Sequence, residues 1–377
     1  MKRNVLVIAG LAVLSTSAHA TKSRMEALGQ SSTRGSEYIS DSRNIFRNPA
    51  LLNSTKNYIV TEWGTTTAAQ VTGNTSDDSA TAPRAEGGFF REMGSFNYGL
   101  YLGNDGENNG RTQSGFLTQD NGLDLFLSGD MGVQWGAKLH YANSKDEATA
   151  TPITKKNTAF GLGLGVVAGE AEGYLNLDLS DKSEGNTALA ANQYKLKPSY
   201  LVGGSYKWSS VTFFASYEAT KADSTIAAVT TTKKSSEISV GAGRIHEINP
   251  TARVITDAHV SIATYDNRLA DGSTATGKTK VNKIPVTLGF EADAASWLVV
   301  RGNVHQNVIL GETKNTAGKK VTNANSTTVD AGATLNFGKL KVDGSVGTTD
   351  STGTAGTKSG VLSTSNLMTR VGVSYWF

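Results

Sequence analysis

Cysteine is missing altogether from the 377 residues, and with it go a disulfide scaffold, a thiolate metal site and a lipid anchor on a cysteine. No apolar run reaches the roughly 20 residues that a helix needs to cross a bilayer, which excludes a helical membrane protein. Proline is scarce too, at 6 residues against 41 glycines. Charge of one sign is also lacking. The 36 basic and 33 acidic residues come to 34 against 33 once Lys2 and Arg3 are set aside. Such a balance implies no polyelectrolyte partner and speaks against nucleic acid.

Lys2 and Arg3 belong to MKRNVLVIAGLAVLSTSAHA, which has a basic start, an apolar stretch from Val5 to Leu14 and a small-x-small end at Ala18-His19-Ala20. That layout is a secretory signal, so cleavage is expected near Ala20 and a mature chain from about Thr21. Beyond residue 56 one pattern repeats. Alternating segments fall at roughly 57–64, 85–91, 96–103, 122–129, 131–143, 157–168, 170–180, 193–207, 210–220, 235–248, 252–266, 280–293, 296–311, 325–337, 339–348 and 363–377, sixteen in all. The gaps switch between short and long. Short ones include 129–130, 168–169 and Asn249-Pro250-Thr251; long ones such as GNDGENNGRTQSG (103–115) and SKDEATATPITKK (144–156) read as solvated loops.

The faces of these segments differ in polarity. Val329, Ala331, Ala333, Leu335 and Phe337 oppose Asp330, Thr334 and Asn336, and Val133, Trp135, Ala137, Leu139 and Tyr141 oppose Gln134, Lys138 and His140. One face suits lipid and the other water. A soluble sandwich also alternates, but the strand count, the short/long connections and a core rich in Gly, Ala and Thr weigh against it. The expected fold is all-β: an antiparallel up-and-down transmembrane β-barrel of about sixteen strands, closed because lipid tolerates no free sheet edge. It divides into a signal at 1–20, a plug or periplasmic segment at 21–56 and the barrel at 57–377. An even strand number returns both termini to the short-turn side, the periplasmic one. Trp135, Trp208, Trp297 and Trp376 lie near short-turn ends, where rings prefer the interface. Trp297 and Trp376 nevertheless read inward, which calls for a bulge in one register.

The chain closes on TRVGVSYWF, a strand running to the last residue. With Tyr375 and Phe377 at its end, it resembles the terminal assembly signal of Gram-negative outer-membrane proteins. Upstream, Gly29, Asp41 and Asn48-Pro49-Ala50 resemble a segment of the long-chain fatty-acid transporter family. That resemblance covers about 40 residues and implies a lumenal hatch, with fourteen strands as the alternative count. The whole chain is similar to the porin-like outer-membrane proteins of Bdellovibrio-type bacteria. These resemblances imply outer-membrane lipid and lipopolysaccharide around the barrel, the barrel assembly machinery as a partner, and a homotrimer like that of other porins. Independently of them, Ile45, Phe46, Leu51 and Leu52 would be wasted on a free linker, which favours a folded plug over 21–56.

Sharper motifs do not hold. GSTATGKT (272–279) has phosphate-loop spacing, yet a strand carrying Pro285 follows where a helix is required. Gly163, Gly165 and Ala168 fit a dinucleotide fingerprint but alternate with Leu164 and Val166 along one strand. No serine sits in a nucleophile elbow, since DGSVG has Asp343 where glycine belongs, so no catalytic residue, cofactor or metal is expected. What remains is the polar face. Lys138, His140, Lys207, Glu218, Arg253, Asp257, His259, Glu291, Arg301, His305, Asp330, Lys341, Asp343 and Arg370 are the expected pore-lining residues. Their signs balance, as for a porin passing small hydrophilic solutes with little ion preference. Two alternatives stay open: a channel for hydrophobic solutes, favoured by Asn48-Pro49-Ala50, and a structural or adhesive surface barrel, favoured by the long loops.

Overall fold

A computed structural model describes residues 21–65, 84–104, 116, 119, 121–148, 153–187, 190–269, 274–314, 320–322, 327–348 and 367–377. Sixteen antiparallel strands follow one another: β1 (Tyr58–Thr65), β2 (Arg84–Met93), β3 (Phe96–Leu102), β4 (Gly122–Asp130), β5 (Gln134–Ala148), β6 (Ile153–Ala168), β7 (Ala171–Thr187), β8 (Ala190–Trp208), β9 (Val211–Ile226), β10 (Val229–Asn249), β11 (Ala252–Leu269), β12 (Thr274–Ala295), β13 (Leu298–Lys314), β14 in two pieces (Lys320–Thr322 and Thr327–Phe337), β15 (Leu340–Thr348) and β16 (Leu367–Trp376). Each pairs with its neighbours in sequence, and β1 pairs with both β2 and β16, which closes the sheet into a barrel.

Closure explains the aromatic end of the chain. Tyr58 faces Trp376 and Ile59 faces Tyr375 across the seam. The Phe377 amide donates to the Asn57 carbonyl at 3.1 Å, and the Phe377 ring stacks on Phe89 with centroids 5.8 Å apart. Trp376 does point inward, stacked on Tyr58 at 4.5 Å, so its register needs no bulge. A register shift lies instead between Asp293 and Ala295, beside the turn that carries the exposed Trp297.

Alternation decides the two surfaces. Along β3 the odd residues Asn97, Gly99 and Tyr101 are buried inside, while Phe96, Tyr98, Leu100 and Leu102 are exposed outside. Leu125, Leu127, Leu139, Tyr141, Leu164, Val202, Phe213 and Val240 continue this exposed apolar exterior around the wall. A sheet whose outside is apolar and whose inside is polar reverses the usual soluble arrangement, as lipid requires.

The long gaps are corrected in several places. Residues 144–148 and 153–156 are not loop: Ser144 pairs with Asn157 and Lys145 with Lys156, continuing the β5–β6 ladder. The stretch 221–234 is likewise strand, turned by Ala227-Ala228 alone. The GSTATGKT stretch lies in β12 from Thr274 onward, with Gly277 opposite Asn267 and Lys278 opposite Asp266. GNDGENNGRTQSG lies almost wholly outside the described residues. Strands β5 to β13 therefore run to 15–22 residues, well beyond the 9–11 or so that cross a membrane, and the wall stands tall on that side.

Candidate functional site

Residues 21–55 are folded and mostly buried, and they touch the inner face of strands around the barrel, which places them in the lumen. Local chemistry shapes them. Helix α1 (Lys22–Ala27) ends at Gly29, whose positive φ of 70° lets the Gln30 amide fold back to the Met25 carbonyl at 2.8 Å. Asp41 caps a 3-10 turn over Ser42–Phe46, accepting from the Arg43 amide at 2.8 Å. Asn48 caps a second over Pro49–Asn53, accepting from the Ala50 amide at 3.1 Å, with Pro49 at the first helical position where no donor is missed. The Asn48-Pro49-Ala50 signal is thus a turn initiator. It also docks: Asn48 lies against Gly165 and the Pro49–Ala50 peptide against Gly136, where any β-carbon on the wall would collide. Gly136 of β5 and Gly165 of β6 thus form a seat for this turn.

Four arginines fix the segment, each to a different wall carboxylate. Arg24 Nε donates to Glu291 Oε2 at 2.9 Å while its Nη1 reaches Asp41 Oδ2 at 2.8 Å. Arg34 makes a two-pronged pair with Glu218, both bonds 2.9 Å. Arg43 lies 3.5 Å from Glu62, donates to Tyr101 Oη at 3.1 Å and packs 3.9 Å over the Phe46 ring. Arg47 bridges Glu37 and Glu172, each at 3.4 Å. In the opposite sense, Glu26 takes the wall's Arg370 at 2.6 Å. Beside these ties Ile45, Phe46 and Leu52 join Tyr58, Val60, Phe90, Tyr101 and Phe126 of the wall in one apolar cluster. Burial pushes the Glu26 and Glu37 carboxyls up, and Asp41 up to about 6 against the pull of Arg24.

The expected lumenal residues separate into groups. Glu291 joins Arg253, Arg301 and Arg24, and Arg301 continues to Asp343 at 3.3 Å, with Lys341 buried nearby. Asp330 accepts from Asn303 at 3.1 Å, Asp257 accepts from Tyr38 at 2.7 Å with His259 beside it at 3.4 Å, and His305 meets Thr287. Lys138, His140 and Glu218 line an open cavity of ≈ 120 Å³ together with Arg34, Asp124 and Asp178. There Lys138 Nζ donates to the Phe46 carbonyl at 3.1 Å, and His140 lies between Asp124 and Gln119, 2.9 Å from each. Lys207 stands apart, exposed at the short-turn rim. The sequence reading missed the four arginines and the carboxylates Glu62, Glu86 and Glu172. Four arginines within 36 residues, beside Ile45 and Phe46, were the available signal.

No family model matches the chain, and no curated protein matches it. Solved structures of similar outline include a Pseudomonas aeruginosa FadL homologue, with TM-score 0.46 and 11% identity over 94% of this chain and 98% of that one. The P. putida toluene transporter TodX scores 0.37 with 12% identity over 92% and 96%. A porin scores 0.39 with 15% identity over 85% and 99%. Likeness at this level fixes no function.

Proposed function

We propose that the protein is an outer-membrane channel: the wall crosses lipid, residues 21–56 stand in the lumen as a plug, and small hydrophilic solutes diffuse passively through the remaining space. The cavity carries this reading. Its lining brings both signs together, from Lys138, Arg34 and His140 to Asp124, Asp178 and Glu218, which favours a wetted passage beside the apolar share that Phe46, Leu196 and Leu201 contribute. The role is passive and involves no reaction. The termini would face the periplasm, with the Tyr375–Phe377 end read by the assembly machinery, and a homotrimer is the expected oligomer.

Single-channel recording in a planar bilayer tests this, on the mature chain and on a variant lacking 21–56. Small conductance steps that grow severalfold on deletion are expected; silence from both proteins rejects the channel. A second reading has one observation in its favour. Phe116, Tyr194, Leu196 and Ala222 form an apolar cluster inside the tall wall, a foothold for hydrophobic solutes. Vesicle swelling in sugars against uptake of a small aromatic hydrocarbon separates the two, sugars entering faster on the first reading.

A further inference from the structure

The tall wall carries a feature that neither the plug nor the channel uses. On its outer face, Lys197 of β8 lies directly opposite Lys221 of β9, and Lys221 directly opposite Lys234 of β10. Three lysines thus occupy consecutive positions of one cross-strand row, with neighbouring strands about 4.8 Å apart. Lys182 faces Lys195 next to it, and Lys145 faces Lys156 two strands further on. Like charges placed directly opposite destabilise a strand pair, and here the arrangement recurs on adjoining hairpins. Nearby acids offset it only in part: Asp223 holds Lys197 at 2.8 Å and accepts from Thr232, and Glu184 and Glu147 hold Lys182 and Lys145, while Asp266, opposite Lys234, is held by Arg268 at 3.1 Å.

The level of the row is informative. Counted from the short-turn rim, Lys221 lies ten residues on from Val211 and Lys197 eleven from Trp208, about where a strand has finished crossing the hydrocarbon. Immediately below, Tyr200 and Tyr217 touch on the outer face with ring centroids 5.8 Å apart, followed by exposed Val202, Phe213, Ile238 and Val240. Apolar wall, then tyrosine, then lysine is the order of environments met on leaving a bilayer for its headgroups.

We propose that the Lys197–Lys221–Lys234 row is a docking surface for phosphate-bearing lipid headgroups in the leaflet opposite the chain termini. Charge complementarity and the depth of the row select this occupant. A phosphate between two ammonium groups on adjacent strands relieves their repulsion and ties the hairpins together, and the tyrosines below receive the start of the acyl region.

The test uses the full mature chain in phosphatidylcholine vesicles containing a minority of phosphatidic acid or of phosphorylated lipid A. The protein is extracted with its annular lipid, and the bound lipid is counted. The wild type is expected to enrich the phosphate-bearing lipid over phosphatidylcholine. Lys221→Gln alone, which breaks both like-charge registers, lowers that enrichment about fivefold, the worth of one lysine at an anionic surface. Triple substitution to Gln abolishes it, and triple substitution to Arg retains it. Folding is checked by the heat-dependent gel shift of the barrel; Lys221→Gln removes repulsion and so leaves an informative variant should the triple one fail. Equal enrichment in wild type and Lys221→Gln overturns the proposal. So does its loss in the Arg variant, or displacement of the lipid by equimolar inorganic phosphate.

Discussion

Arg24 shows how much of the lumen depends on single side chains. It is buried between Glu291 and Asp41, and Glu291 is shared with Arg253 and Arg301. Removing one member of a buried ion pair costs about 3–5 kcal/mol, because its partner stays desolvated. Arg24→Gln is therefore expected to loosen residues 21–56 while leaving the wall closed. Hydrogen exchange should rise by orders of magnitude in that segment and stay unchanged in β5–β13; unaltered protection of the segment would refute the assigned role of Arg24. Asp41 adds a pH term. Its carboxyl is pushed up to about 6 from 3.8 by burial, while Arg24 and the Arg43 amide pull it down and Asp343 pushes it up. A carboxyl that holds its proton more tightly when seated favours the seated state as pH falls, so this contribution grows from pH 6 to about pH 4 and is absent at higher pH. Asp41→Asn should flatten the pH dependence of segment protection across that window. At this scale, Asp41 and Asn48-Pro49-Ala50 were visible in the sequence through a resemblance, though not as the caps they form. Arg24 was not, since its partner Glu291 lies 267 residues away.

Among the elements, the β9–β10 hairpin marks where alternation stops informing. Within the lipid, one face of a strand is apolar and one polar, and the period of two is plain in Phe213, Ala215 and Tyr217. Above it both faces are wet, so TTTKK (230–234) carries no apolar beat and reads as loop, although every residue of it is paired with β9. Its turn also gave no signal. Ala227 and Ala228 have φ of 48° and 66°, a mirror-type turn that favours Asn-Gly and strains alanine by about 1 kcal/mol per residue. Replacing Ala227-Ala228 by Asn-Gly should therefore stabilise the hairpin tip. Amide exchange of Ile226 and Val229 should slow about tenfold or more, and an unchanged rate would mean that the tip is held by something other than its turn.

For the molecule as a whole, charge balance means less than its distribution. The sequence balances its signs, and so do the fourteen residues expected to line the pore, yet that tally omits Glu62, Glu86, Asp124 and Glu172 on the inner wall. Their counter-charges come largely from the plug: Arg43 for Glu62, Lys22 for Glu86 at 2.5 Å, and Arg47 for Glu172, alongside Arg34 for Glu218 and Arg24 for Glu291. Among the described ion pairs, Arg370 alone loses an acidic partner in return, Glu26. Strand number and order were readable because each strand repeats one simple pattern, whereas this neutrality belongs to two parts of the chain brought together only by folding. Deleting 21–56 should therefore do more than widen the channel. On the proposed channel reading it should leave the lumen net negative and make it cation-selective, because low-dielectric walls focus the field of unpaired carboxylates. In a salt gradient across a planar bilayer, the reversal potential of the deleted form should move toward that of the cation, and the shift should fade as ionic strength shortens the screening length. If conductance rises and the reversal potential stays near zero, the plug fills space in the channel without supplying its charge balance.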